Sequence, residues 1–120
     1  MRAGKIFFLI IILSVILINA HEVITSDKAK DFIGKVVTLK GEVSQITTTK
    51  SNTTFINIDG KYPDNKFTLV IFKDDAGKFT EVKTWEGKMI EVNGKVELYK
   101  EKPQIVLKDN KQIKIVDKED

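Results

Sequence analysis

Residues 34–46, GKVVTLKGEVSQI, and residues 87–99, GKMIEVNGKVELY, repeat one pattern: glycines seven apart, with apolar residues at matching steps between and after them. Apolar residues at alternate positions describe β-strands with one buried face. A glycine inside such a strand weakens it locally and marks a bulge, a sharp bend or a close approach of another backbone. With two copies 53 residues apart, the pattern is no solenoid repeat. Two long strands that each bend at a mid-strand glycine are what a small closed sheet needs at its corners. The chain is therefore expected to be an all-β barrel.

The remaining segments fit that expectation. The first strand covers residues 35–46 and kinks at Gly41, and a polar loop, TTTKSNT at 47–53, follows it. The second strand, 54–59, alternates cleanly: Thr54, Ile56 and Ile58 on one face, Phe55, Asn57 and Asp59 on the other. Dense turn chemistry at 60–65 leads into a nearly all-apolar third strand at 67–72. Phe79, Val82 and Trp85 recur at a spacing of about three within a polar connector, 74–86, which predicts one or two helical turns lying on the sheet. The fourth strand covers 88–99, and the fifth runs over 104–107, bends at Asp109-Asn110 and continues over 112–116. A short helix precedes the sheet, with Ser26 as its N-cap, Ala29, Phe32 and Ile33 at helical spacing and Gly34 as its stop. Residues 117–120 form a tail.

Residues 1–20 differ from the rest. Arg2 and Lys5 precede an apolar run from 6 to 18 broken only by Ser14, and Asn19-Ala20 closes it, the layout of a secretory signal. A helix over that run would reach only ~20 Å across a hydrocarbon core of ~30 Å, so an uncleaved anchor is the second reading and a buried helix the third. An exported protein, periplasmic or secreted, is expected. The segment also distorts the charge. The whole chain holds 20 basic and 17 acidic residues, net +3, but Arg2 and Lys5 supply two of those positive charges, leaving +1 for residues 21–120.

Several chemistries are absent from the composition. There is no cysteine, the single histidine is His21, and no arginine follows Arg2. Disulfides, thiolate metal sites and thiol nucleophiles are excluded, as is a histidine-based triad or metal cage within one chain. A non-enzymatic domain without cofactor or metal is expected. The neighbouring Asp74 and Asp75 could contribute to a calcium site, but such a pair more often opens a turn or caps a helix.

The segments GKVVTLKGEV, TFINID, FTLVIF and GKMIEVNGKV together resemble the OB-fold nucleic-acid-binding domains of the tRNA-anticodon and helicase type, over residues 34–116. The resemblance implies a five-stranded Greek-key barrel, with a short N-terminal helix and a helical connector between strands three and four. It also implies single-strand binding across strands two and three and the loops joining strands one to two and four to five. Exported OB proteins of the bacterial periplasm are a weaker resemblance of similar length.

Single-strand binding needs aromatic faces for stacking and cations along the backbone track. Phe55 is the first candidate, since it projects outward if Ile56 and Ile58 point inward, and family members carry an aromatic at the matching position. Asn57 beside it would read a base edge, and Tyr62 in the turn is a second stacking candidate. Packing under the connector is the competing role for Phe55. Lys50 in the first loop, Lys61 and Lys66 around the hairpin, and Lys100 and Lys102 in the last loop would surround this face, although such lysines are more often simply solvated. Without arginine, bidentate recognition of phosphate or guanine is unavailable, so loose, sequence-tolerant binding of single-stranded DNA or RNA is the expectation. A barrel that binds a small molecule, peptide or envelope protein is the alternative, and membrane contact would come only through an uncleaved N-terminal segment.

Overall fold

The computed structural model describes residues 22–117; the N-terminal segment, His21 and residues 118–120 lie outside the described residues. The strands are β1 (Val23–Thr25), β2 (Val36–Thr48), β3 (Thr54–Ile58), β4 (Phe67–Ile71), β5 (Met89–Lys95), β6 (Glu97–Tyr99), β7 (Lys102–Val106) and β8 (Ile113–Val116). Hydrogen bonding orders them β6-β7-β4-β3-β2-β5-β8, with β1 added parallel to β2. The five expected strands are present as β2, β3, β4, β5 and β7. The sheet curls around one core but is not closed by hydrogen bonds, since β6 and β8 end its order.

Strand β2 makes the curl possible. Its first half pairs with β5, from Val36 opposite Lys95 to Glu42 opposite Met89, and its second half pairs with β3, from Val43 opposite Ile58 to Thr48 opposite Thr54. The register shifts between Val43 and Gln45, so the strand bends where it changes partner. Leu39, Val43, Ile56, Ile58, Leu69, Ile90, Val92 and Ile105 are wholly buried on the concave side. Each such side chain contributes about 1.5–3 kcal/mol by leaving water.

The two glycine-bearing segments pair with each other. Leu39 lies opposite Val92, and Gly41 faces Ile90 just as Gly94 faces Val37, so the repeat meets its own copy about a local two-fold. Gly34 and Gly87, the first glycine of each copy, both take a left-handed φ, +84° and +83°, where a side chain is disfavoured. The second glycines are needed for space. A methyl group at Gly41 would collide with Ile58 of β3, and one at Gly94 would lie 2.6 Å from Ile105 Cγ2 of β7.

Several elements differ from the sequence expectations. The fourth strand divides at Val96, which is fully buried, accepts from the Gly34 amide and donates to the Lys35 carbonyl, tying the chain back to the start of β2. Beyond it β6 leaves the β5 ladder and forms a hairpin with β7 through Lys100 and Glu101, both at positive φ. The leading helix is a 3-10 helix, Ser26–Phe32, and Ser26 does not cap it: its hydroxyl donates to Asp59 instead. The connector forms 3-10 turns at Lys73–Lys78 and Val82–Trp85. There Phe79 and Trp85 pack edge to face, 6.3 Å between ring centres, and belong to the core as expected. Asp74 and Asp75 open the first of these turns. Asp75 is held by Lys78 at 2.8 Å, and that contact raises the Lys78 ammonium above its ordinary pKa. Among the described residues no helix is long and apolar enough to cross a membrane.

Candidate nucleic-acid interface

The second half of β2, strands β3 and β4 and the β6–β7 hairpin enclose a groove of about 490 Å³ on the convex side of the sheet. Alternation along β3 turns Ile56 and Ile58 into the core, which puts Phe55 on the groove side, half-buried. Tyr62 comes from the β3–β4 turn and is 72% exposed; Tyr99 comes from the end of β6 and is 55% exposed. A second, smaller depression shares Phe55, Tyr99 and Gln104 with the groove and continues it to the exposed ring of Phe72 and the Thr49–Thr53 loop. A third opens from the other end, past Asn65 and Lys102 toward Lys66. The three adjoin one another, with aromatic rings along the first two and charged side chains of both signs, Asp64, Lys66 and Glu101 among them, around the third.

Cations accompany the rings. Lys102 Nζ stands 5.6 Å from the centre of the Tyr62 ring, and Lys100 Nζ stands 5.4 Å from that of Tyr99. Both contacts are within cation–π range, and both leave the ammonium groups near the faces on which a base would stack. The Lys100–Glu101 turn produces this arrangement, because it sets Tyr99 opposite Lys102 in the hairpin.

Of the residues singled out in the sequence, the structure brings together Phe55, Asn57, Tyr62, Lys100 and Lys102. Lys66 lies in the adjoining depression, whereas Lys50 and Lys61 are exposed outside the groove. Asn57 has the expected face but not the expected freedom. It is 5% exposed, and its Nδ2 donates to Gln45 Oε1 at 2.8 Å, so it supports the groove floor rather than reaching a ligand. Tyr99, Gln45 and Gln104 were not singled out. The position of Tyr99 depends on the break at Val96, which turns the last residues of the expected fourth strand toward β7. Nearby, the Thr25 hydroxyl donates to Asp27 and holds its carboxyl below the usual pKa, which leaves an anion in the third depression.

Comparison with known families agrees with this fold. The model of the tRNA anticodon family, described as an OB-fold nucleic acid binding domain, matches residues 37–115. The chain belongs to that family. No curated protein matches the sequence. Among solved structures, the asparaginyl-tRNA synthetase of Entamoeba histolytica superposes with a TM-score of 0.57 at 17% identity, covering 84% of this chain and 25% of that one. The aspartyl-tRNA synthetase of the same organism gives 0.55 at 12%, covering 82% and 22%. The S. pombe Stn1-ten1 complex gives 0.52 at 12%, covering 68% and 57%. These likenesses concern the fold, and the chain spans a quarter or less of each synthetase's length. As an OB-fold domain, the protein carries its groove on β2, β3, β4 and the β6–β7 hairpin.

Proposed function

We propose that this OB-fold domain is a non-enzymatic module that binds single-stranded nucleic acid loosely and without strict sequence demands. The observation that carries the reading is the groove itself, which Phe55, Tyr62 and Tyr99 line with Lys100 and Lys102 beside the tyrosine rings. Bases stack on the rings, and the lysines neutralise the phosphates that follow. The absence of arginine after Arg2 keeps the grip weak, since no guanidinium fork is available for phosphate or base edges. Fluorescence titration with short oligonucleotides tests this. Phe55→Ala and Tyr99→Ala should each lose about 1–3 kcal/mol of binding. Unchanged affinity in both variants, or no salt-sensitive binding at all, would reject it.

We further propose that the domain works outside the cytoplasm, directed there by residues 1–20 and released by cleavage after Ala20. Strand β1 begins at Val23 and pairs directly with Thr38–Lys40, so a cut after Ala20 leaves this strand whole. Mass spectrometry of the protein recovered from a secreting host should give His21 as the first residue; retention of Met1 on membranes would favour the anchor instead. A protein ligand on the same groove is the second reading, favoured by the exposed Phe72 ring at its end. Pull-down from envelope extract that recovers a protein and no nucleic acid would establish it.

A further inference from the structure

We propose that Gln45 gives the groove a preference among bases, selecting those that present a keto oxygen over those that present an amino group at the same place. The inference rests on the nucleic-acid reading of the groove and adds a chemical choice to it.

Two donors converge on Gln45 Oε1: the Tyr62 backbone N–H at 2.9 Å and Asn57 Nδ2 at 2.8 Å. A backbone N–H can only donate, so the atom facing it must be the amide oxygen, and two donors fill both of its lone pairs. The nitrogen end of Gln45 is then turned the other way, with both N–H groups free of any hydrogen-bond partner among the described residues, in a side chain that lines the groove.

The partners of Gln45 are fixed in turn. Asn65 Nδ2 donates to the Phe67 carbonyl at 2.9 Å and to Thr68 Oγ1 at 2.8 Å. Because the Thr68 oxygen accepts there, its hydroxyl proton is directed to Asn57 Oδ1, 3.4 Å away. Asn57 is thereby held with its nitrogen toward Gln45. A backbone carbonyl at one end and a backbone N–H at the other set the direction of every amide between them. Flipping Gln45 would set N–H against N–H at two contacts.

A glutamine free to turn pairs with adenine by donating and accepting at once. Gln45 cannot, because its acceptor is already in use. It offers only donors, which suit the O4 oxygen of thymine or uracil and the O6 oxygen of guanine. The amino group that cytosine carries at C4, or adenine at C6, would instead meet an N–H.

The test compares homothymidine with homocytidine oligonucleotides of equal length, which differ at C4 as keto against amino. The full chain, Gln45→Met and Gln45→Glu are titrated at one salt concentration, with circular dichroism to confirm folding. The unaltered protein should prefer thymidine by about three- to tenfold, the value of one hydrogen bond. Gln45→Met should bind both alike. In Gln45→Glu one carboxylate oxygen keeps the Tyr62 and Asn57 contacts while the other faces the groove as an acceptor, so the preference should reverse even as overall affinity falls. Equal binding of the two oligonucleotides by the unaltered protein, or a preference that survives Gln45→Met, overturns the role of Gln45 while leaving the binding function standing. If the unaltered protein binds neither, the functional reading fails and this proposal with it.

Discussion

A methyl group at Gly94 would sit 2.6 Å from Ile105 Cγ2 and 3.2 Å from Gln112 Nε2, well inside contact distance on both sides. Ile105 is completely buried and cannot move aside without disturbing the core. Gly94→Ala should therefore destabilise the fold by about 1–3 kcal/mol through overpacking, measured by urea unfolding. Gly34→Ala tests a different cause. Nothing lies within 4 Å of the added carbon, so any loss there comes from the left-handed backbone, and relaxing a neighbouring side chain would not recover it. Ile105→Ala, which removes the clashing Cγ2, separates the two cases. Combined with Gly94→Ala it should cost less than the sum of the two single losses, whereas combined with Gly34→Ala the losses should add.

At the scale of elements, Gln112 joins strands that no ladder connects directly. Its Oε1 accepts from the Lys108 and Asp109 amides, and its Nε2 donates to the Asn93 carbonyl of β5 and the Val106 carbonyl of β7. This holds the ends of β5 and β7 together before β8 begins. Gln112→Ala strands partly buried backbone groups and should cost about 1–3 kcal/mol, with amide exchange rising first at Lys108 and Asp109. Apolar alternation made β2, β3 and β5 legible and an apolar run made β4 legible, but the mid-strand glycines read as bends are sites of close packing, and β2 shifts register beyond Gly41, between Val43 and Gln45. The sequence could not reveal Gln112, which reads as one polar residue among many near a chain end. The break at Val96 was hidden for a similar reason. Its cause is a pair of hydrogen bonds to Gly34 and Lys35, far away in sequence, and the alternation runs on through the break. The candidate groove was legible to the same extent: the facing of Phe55 follows from the period of β3, whereas the place of Tyr99 depends on the break and the commitment of Asn57 depends on Gln45 across the sheet.

For the whole molecule, the charge available to a nucleic acid is set by which lysines the fold gathers. Residues 21–120 carry a net charge of only +1, so a general attraction to polyanions is weak. Lys100 and Lys102 line the groove and Lys66 stands in its continuation, while Lys50 and Lys61 lie outside. Each phosphate neutralised on a single strand lowers the logarithm of affinity by about 0.7 per decade of salt. Two or three such lysines predict a slope between about −1.4 and −2.1. Lys102→Ala should flatten it by about 0.7, and Lys50→Ala should leave it unchanged, since only charges that meet phosphate release counterions. Titration across salt concentrations measures all three slopes. A much steeper slope, equally sensitive to Lys50, would mean that the strand spreads over the general lysine surface and that the aromatic groove does not set its path.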